Sequence, residues 1–190
     1  SLNDSLLDPL LRAGITHLWF VTLHPFDDGN GRITRTLTDL ALAQMDEQSI
    51  RLYAMSTAIL NKRKSYYEIL EQTQKNDSDI TDWLVWFLDT LDDSLEKTLV
   101  QINRTLFKSQ FWHKYSNLAL SQEQRKVLNR LLDGGENGFE HGISASQYQN
   151  ATKISKATAT RHLSDLLEKE CIVKLEGGGR NTRYQINTQL

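Results

Sequence analysis

Cysteine, proline and methionine are scarce in this chain of 190 residues, at one, two and two. The lone Cys171 cannot close an internal disulfide. With no Cys or His cluster near it in the sequence, it does not suggest zinc, and it suits a reducing cytosol. Both prolines, Pro9 and Pro25, fall before residue 26, so no proline breaks a helix through most of the chain. An excess of one charge is lacking too. Lys and Arg number 22 against 24 Asp and Glu, a net of −2, which excludes a wholly basic nucleic-acid binder. No apolar run is long enough to span a bilayer, and no signal-peptide pattern is seen. A cytoplasmic protein without a membrane partner is expected. What is present is 39% hydrophobic residues, enough for a packed core in one large or two small domains.

Residues 24–35 read HPFDDGNGRITR and concentrate chemistry. Gly29, Asn30 and Gly31 permit positive φ and close backbone approach. The run that follows, ITRTLTDLALAQM, reads as a helix with Ile33, Leu37, Leu40 and Ala41 on its apolar face. A glycine-rich turn opening a helix turns backbone N–H groups outward at the positive end of the macrodipole, which makes an anion site. Arg32 and Arg35, three residues apart, share a face and suit phosphate oxygens. Asp28 could hold Mg²⁺ between phosphates. His24 could take a proton from a hydroxyl. Together these residues read as a polyphosphate cradle with a base beside it.

This string resembles the Fic family signature, HxFx(D/E)GNGRxxR, at every fixed position: His24, Phe26, Asp28, Gly29, Asn30, Gly31, Arg32 and Arg35. The resemblance implies a mainly α protein built on a Fic-type helical bundle. It implies transfer of AMP from ATP to a Ser, Thr or Tyr hydroxyl of a target protein, with release of pyrophosphate. By the same resemblance His24 is the general base, Phe26 a core anchor that sets the loop, and Asp28 the Mg²⁺ ligand. Gly29, Asn30 and Gly31 form the anion nest, and Arg32 and Arg35 clamp the phosphates. Family members carry a β-hairpin flap upstream of the motif. Only 23 residues precede His24 and they read as one helix, so the flap is expected to be missing and the bundle partial. No convincing copy of the family's inhibitory glutamate segment is found. The chain is expected to be the C-terminal part of a longer protein, inactive or very weak on its own.

Two modules are expected, a Fic-type part over 1–110 and a second over 118–190. Residues 1–120 hold 12 Lys and Arg and 16 Asp and Glu, whereas 121–190 hold 10 and 8, a shift from −4 to +2. In the first part, 9–22 reads as a buried helix in which Trp19 packs and His17 is structural. A turn is expected over 46–49, then helices over 52–60 and 62–74. Either Tyr66 or Tyr67 could touch adenine, although core packing is the stronger reading for both. Residues 79–108 read as one long helix with apolar residues from Ile80 to Leu106 at spacings of three and four. At about 45 Å it would link the modules, and its stripe would also suit a homodimer seam.

The second module reads as a capped helix from Ser121 to Gly134, a short helix over 144–150, a third over 155–170 and a β-hairpin. This order resembles a winged helix-turn-helix. Ala157, Ala159, Leu163, Leu166 and Leu167 of the third helix are expected to face inward. Lys153, Ser155, Lys156, Thr158, Thr160 and Arg161 would decorate it, and Arg180 and Arg183 would sit on the wing, where they suit DNA phosphates. The leading function is AMP transfer with ATP, Mg²⁺ and a hydroxyl-bearing protein as partners. The alternative is a DNA-binding regulator whose Fic half senses nucleotide or is inactive. A third reading, γ-phosphate transfer, is left open by the motif.

Overall fold

The computed structural model describes residues 7–44, 54–75, 78–134, 139, 141–176 and 182–189. These hold eight helices and one two-stranded antiparallel sheet, a mainly α protein. The chain divides into two compact units, Ser1–Gln101 and Ile102–Leu190. The boundary falls within the longest helix.

The first unit opens with α1 (Pro9–Leu23). Asp8 caps it, accepting from the Leu10 amide at 2.8 Å, and Pro9 occupies the first helical position, where its missing N–H costs nothing. Helix α2 (Asn30–Ala43) runs back against α1, followed by α3 (Met55–Asn61), α4 (Arg63–Lys75) and the N-terminal part of α5 (Thr81–Lys114). The core gathers Leu18, Leu42, Met55, Ile59, Tyr66, Leu70, Trp83, Phe87 and Leu91. Trp83 ties α5 to α1 by donating its indole N–H to the Gly14 carbonyl at 2.9 Å.

Three expectations for this unit fail for identifiable reasons. Helix α1 buries one narrow stripe, Ala13, Gly14, His17 and Leu18; Trp19 is one residue, about 100°, off it and is 60% exposed. Helix α2 does not turn its apolar residues fully inward. Its buried face is Asn30, Thr34, Thr38, Ala41 and Leu42, while Leu40 is exposed. The Thr34 and Thr38 hydroxyls satisfy themselves by donating to the Asn30 and Thr34 carbonyls, each at 2.8 Å. Helix α5 runs six residues past Lys108, to Lys114, and Leu99 and Leu106 of its stripe stay exposed. The expected turn at 46–49 and residue 52 lie outside the described residues.

The second unit holds the C-terminal part of α5, then α6 (Gln122–Asp133), α7 (Ala145–Thr152), α8 (Lys156–Glu168), β1 (Ile172–Lys174) and β2 (Tyr184–Ile186). Reciprocal capping boxes start α6 and α7: Ser121 with Gln124, and Ser144 with Gln147. The strands pair with Val173 opposite Gln185, and a bridge from Ile143 to Tyr184 extends the pairing. That bridge passes so close to Gly142 (φ 76°) that a Cβ there would lie 2.7 Å from the Tyr184 carbonyl oxygen. Val127, Leu128, Leu132, Ile143, Tyr148, Leu163, Leu166 and Ile172 form the core. In α8, Ala159, Leu163 and Leu166 face inward as expected, but Ala157 and Leu167 are exposed. Lys153 is not on α8; it caps α7 at φ 60°.

Candidate functional site

Where α1 ends and α2 begins, six residues make the connection, and the motif lies across it. His24 terminates α1 in the left-handed conformation (φ 44°, ψ 54°), its amide donating to the Phe20 carbonyl at 3.2 Å. A histidine held there is unusual, since the left-handed region is sterically costly for residues with a Cβ. Gly29 (φ 84°) is the N-cap of α2 and supplies the sharp turn. Gly31 does not share this role. It lies in the first helical turn, and a Cβ there would meet only the tip of Arg35 at 3.5 Å.

Asn30 does more than sit in an anion nest. It is buried, and its side-chain oxygen accepts from the Phe26 amide at 3.0 Å while its Nδ2 donates to the Phe26 carbonyl. The loop is therefore held by Asn30. Phe26, expected as the core anchor, is 51% exposed, its ring tilted against that of Phe20 with centroids 6.2 Å apart. The sequence reading missed this because an aromatic in a motif suggests packing, whereas a polar side chain folding back on the backbone leaves no periodic trace.

His24, Asp27, Asp28, Gly29, Asn30, Gly31, Arg32 and Arg35 line one hollow of about 280 Å³. All seven residues expected to act as base, metal ligand and cradle are thus brought together. Asp28 is occupied at both oxygens. Oδ1 accepts from the Gly29 amide at 2.6 Å, and Oδ2 pairs with Arg32 Nη2 at 3.2 Å. That pair is exposed on both sides, so solvent screens it and an incoming phosphate or cation can open it. Among the described residues no group of three or more metal-ligating side chains occurs. A single carboxylate such as Asp28 is what Mg²⁺ commonly takes from a protein when phosphate oxygens and water complete its shell.

Arg35 also lines a second hollow, of about 400 Å³, with Ser56, Thr57, Ile59, Leu60, Arg63, Tyr66 and Tyr67. The two tyrosines part company here. Tyr66 is buried and hydrogen-bonded, whereas Tyr67 is exposed, with Arg63 over its ring at 5.8 Å. Under this wall lies a buried histidine. His17 Nδ1 is 2.9 Å from the Thr38 hydroxyl and Nε2 is 3.0 Å from the Tyr66 hydroxyl. Burial, aided by the Arg35 charge, lowers the His17 pKa to about 4, so the ring is neutral at pH 7. Burial pushes Tyr66 up to about 12.

In the second unit Lys156 and Arg161 are exposed on α8. Arg183 is engaged otherwise than expected: its Nη1 donates to the His141 and Gly142 carbonyls at 3.2 and 3.0 Å. Arg180 lies outside the described residues.

The tip of one helix hairpin thus carries a histidine, a carboxylate, a glycine N-cap and two arginines around one hollow. The Fic/DOC family model matches residues 1–42, which include the whole motif. The chain is also similar to the crystal structure of a Fic family protein from Desulfovibrio desulfuricans G20, with 21% identity and a TM-score of 0.47, over 97% of this chain and 51% of that one. It thus spans about half the length of that protein. No helix among the described residues is long and apolar enough to cross a membrane.

Proposed function

We propose that this chain carries the nucleotide-handling core of a protein adenylyltransferase, which moves AMP from ATP to a hydroxyl side chain of a target protein. The observation that carries the reading is the single hollow in which His24, Asp28, the α2 N-terminus, Arg32 and Arg35 converge. The match of residues 1–42 to the Fic/DOC family model supports a transferase that uses a nucleotide.

In this reading the triphosphate lies over the Gly29–Arg32 turn, where the Asn30 and Gly31 amides at the helix N-terminus and the macrodipole favour negative charge. Arg32 leaves Asp28 and, with Arg35, fixes the phosphates. Asp28, once released, is the residue that would hold Mg²⁺, which would neutralise charge on the phosphates. The target oxygen attacks the α-phosphorus. An O–P bond forms, the bond to pyrophosphate breaks, and the hydroxyl proton passes to a ring nitrogen of His24. Positioning and fixed charge supply most of the acceleration, because phosphoryl-type transfer asks little covalent help. The second hollow, reached through Arg35, offers the base a face on Tyr67 and polar groups from Ser56 and Thr57. A cytoplasmic setting, where ATP is available, belongs to the same proposal.

The test is incubation of the full-length protein with α-labelled and γ-labelled ATP. Protein labelling from the α position alone marks AMP transfer, and labelling from the γ position alone replaces it with phosphate transfer. His24→Ala should lower transfer by at least about a hundredfold with nucleotide affinity little changed. The alternative, a DNA-binding regulator, rests on the helix order of the second unit and on exposed Lys156 and Arg161. Arg183, tied to two loop carbonyls, subtracts from it. Fluorescence anisotropy with mixed duplexes at low salt decides it, since phosphate contacts dominate such binding.

A further inference from the structure

The buried Tyr66–His17–Thr38 chain takes no part in the transfer just described, yet it joins α1, α2 and α4, three of the elements around the two hollows. Its hydrogen-bond directions can be derived. The Thr38 hydroxyl has one proton, and it donates that proton to the Thr34 carbonyl at 2.8 Å. It must therefore accept from His17, which places the ring proton on Nδ1. His17 Nε2 then accepts from the Tyr66 hydroxyl. Every polar atom of the chain is satisfied in one sense only. The ring is held sideways as well, with Trp83 at 5.3 Å, Tyr66 at 5.7 Å and Phe87 at 6.1 Å between centroids.

The placement along the helices gives this chain its meaning. His17 lies seven residues, two helical turns, before His24 on α1. Thr38 lies eight residues after Asn30 on α2, on the same buried face. A single bond between His17 and Thr38 therefore sets how far α1 and α2 slide past each other. That offset fixes where the α1 C-cap, which is His24, stands relative to the α2 N-terminus. At the tip, Asn30 clamps the Phe26 backbone from the α2 side. Tyr66, the third partner, is itself a wall of the second hollow. We propose that His17 is a positioning residue: with Thr38 and Tyr66 it pins the register of the α1–α2 hairpin and so holds His24 over the phosphate cradle.

This inference rests on the nucleotide reading for its purpose, but its geometry can be tested without it. In the full chain, hydrogen exchange of the Phe26 amide and the Asn30 side-chain amide is followed by ¹⁵N NMR, with the Phe87 amide of the same core as reference. ATP affinity with Mg²⁺ is measured in parallel by calorimetry. Thr38→Val removes the hydroxyl and keeps the shape; Thr38→Ser keeps the hydroxyl. The expected result is exchange faster by about tenfold at Phe26 and Asn30 in Thr38→Val, the equivalent of one hydrogen bond, with Phe87 unchanged and Thr38→Ser near wild type. ATP affinity should fall in Thr38→Val in step. Exchange within twofold of wild type in Thr38→Val, an equal change at Phe87, or a Thr38→Ser protein as fast as Thr38→Val would overturn the pin. If Thr38→Val does not fold, Tyr66→Phe, which deletes only the hydroxyl, is read in its place. A wild-type chain that binds no ATP removes the nucleotide reading and leaves the exchange comparison to decide the pin.

Discussion

The two units of this chain bury different things. The second unit's core is apolar almost throughout: of its described residues that are polar and buried, Gln124 alone appears, and it is held by Ser121 and Asp165. The first unit buries His17, Asn30, Thr34, Thr38, Thr90 and Ser94. Buried polar groups are costly unless fully bonded, and when bonded they specify one arrangement rather than several. The hairpin that carries the motif is thus packed in large part through hydrogen bonds that have direction, whereas the second unit is packed mainly through apolar contacts that have none. Directional packing is what a site needing sub-ångström placement requires.

The largest effect that separates the units is expected in the apolar one. Leu128→Ala should destabilise the second unit by roughly 2–5 kcal/mol, through lost transfer energy and the cavity left behind. Chemical unfolding monitored at Trp112, in that unit, reads it. A loss below about 1 kcal/mol would mean that this core is less tightly packed than its burial shows.

Acid should act on the first unit instead. His17 titrates near 4 when folded and near 6.5 when unfolded. Between these values the unfolded chain holds more protons, so stability rises with pH across the window. The contribution is complete above pH 6.5 and gone below pH 4, and totals about 3 kcal/mol. A His17→Gln protein should show a correspondingly flatter profile from pH 4 to 6.5. Identical profiles for the two proteins would remove His17 from the account.

Much of this was legible in the residues. Ser121 and Gly134 announced the two ends of α6 because capping is local chemistry. The motif announced the hollow because its spacing puts base, carboxylate and arginines on one short connection. What stayed hidden is the polar packing. Periodicity counts apolar residues, so it picked Ile33, Leu37 and Leu40 for the inner face of α2 and could not weigh Thr34 and Thr38, whose hydroxyls bond back to their own helix. His17 was read as structural, but its partners at positions 38 and 66 are long-range, and nothing local points to them. Gly29 and Gly31 look alike in the string; only the helix start tells which one needs positive φ.

That last distinction gives a smaller test. Gly29→Ala should cost roughly 1–2 kcal/mol because the left-handed turn penalises a Cβ, whereas Gly31→Ala should leave stability unchanged or slightly raised, since Ala is the better helix former. Equal losses from both, measured by thermal unfolding, would place the strain elsewhere. Smallest of all, Ser121→Ala should cost about 1 kcal/mol by opening the α6 capping box, and should leave the motif hollow and any nucleotide binding untouched.

The left-handed backbone at His24 has a consequence for anyone evolving this protein. Glycine or asparagine would be more comfortable at that position, and either would relieve the conformation for nothing in the surrounding fold. A library screened only for heat tolerance should therefore drift away from histidine at residue 24 early. One screened for turnover should keep it, and the contrast between the two lineages would read out, without any assay of mechanism, what the imidazole is there to do.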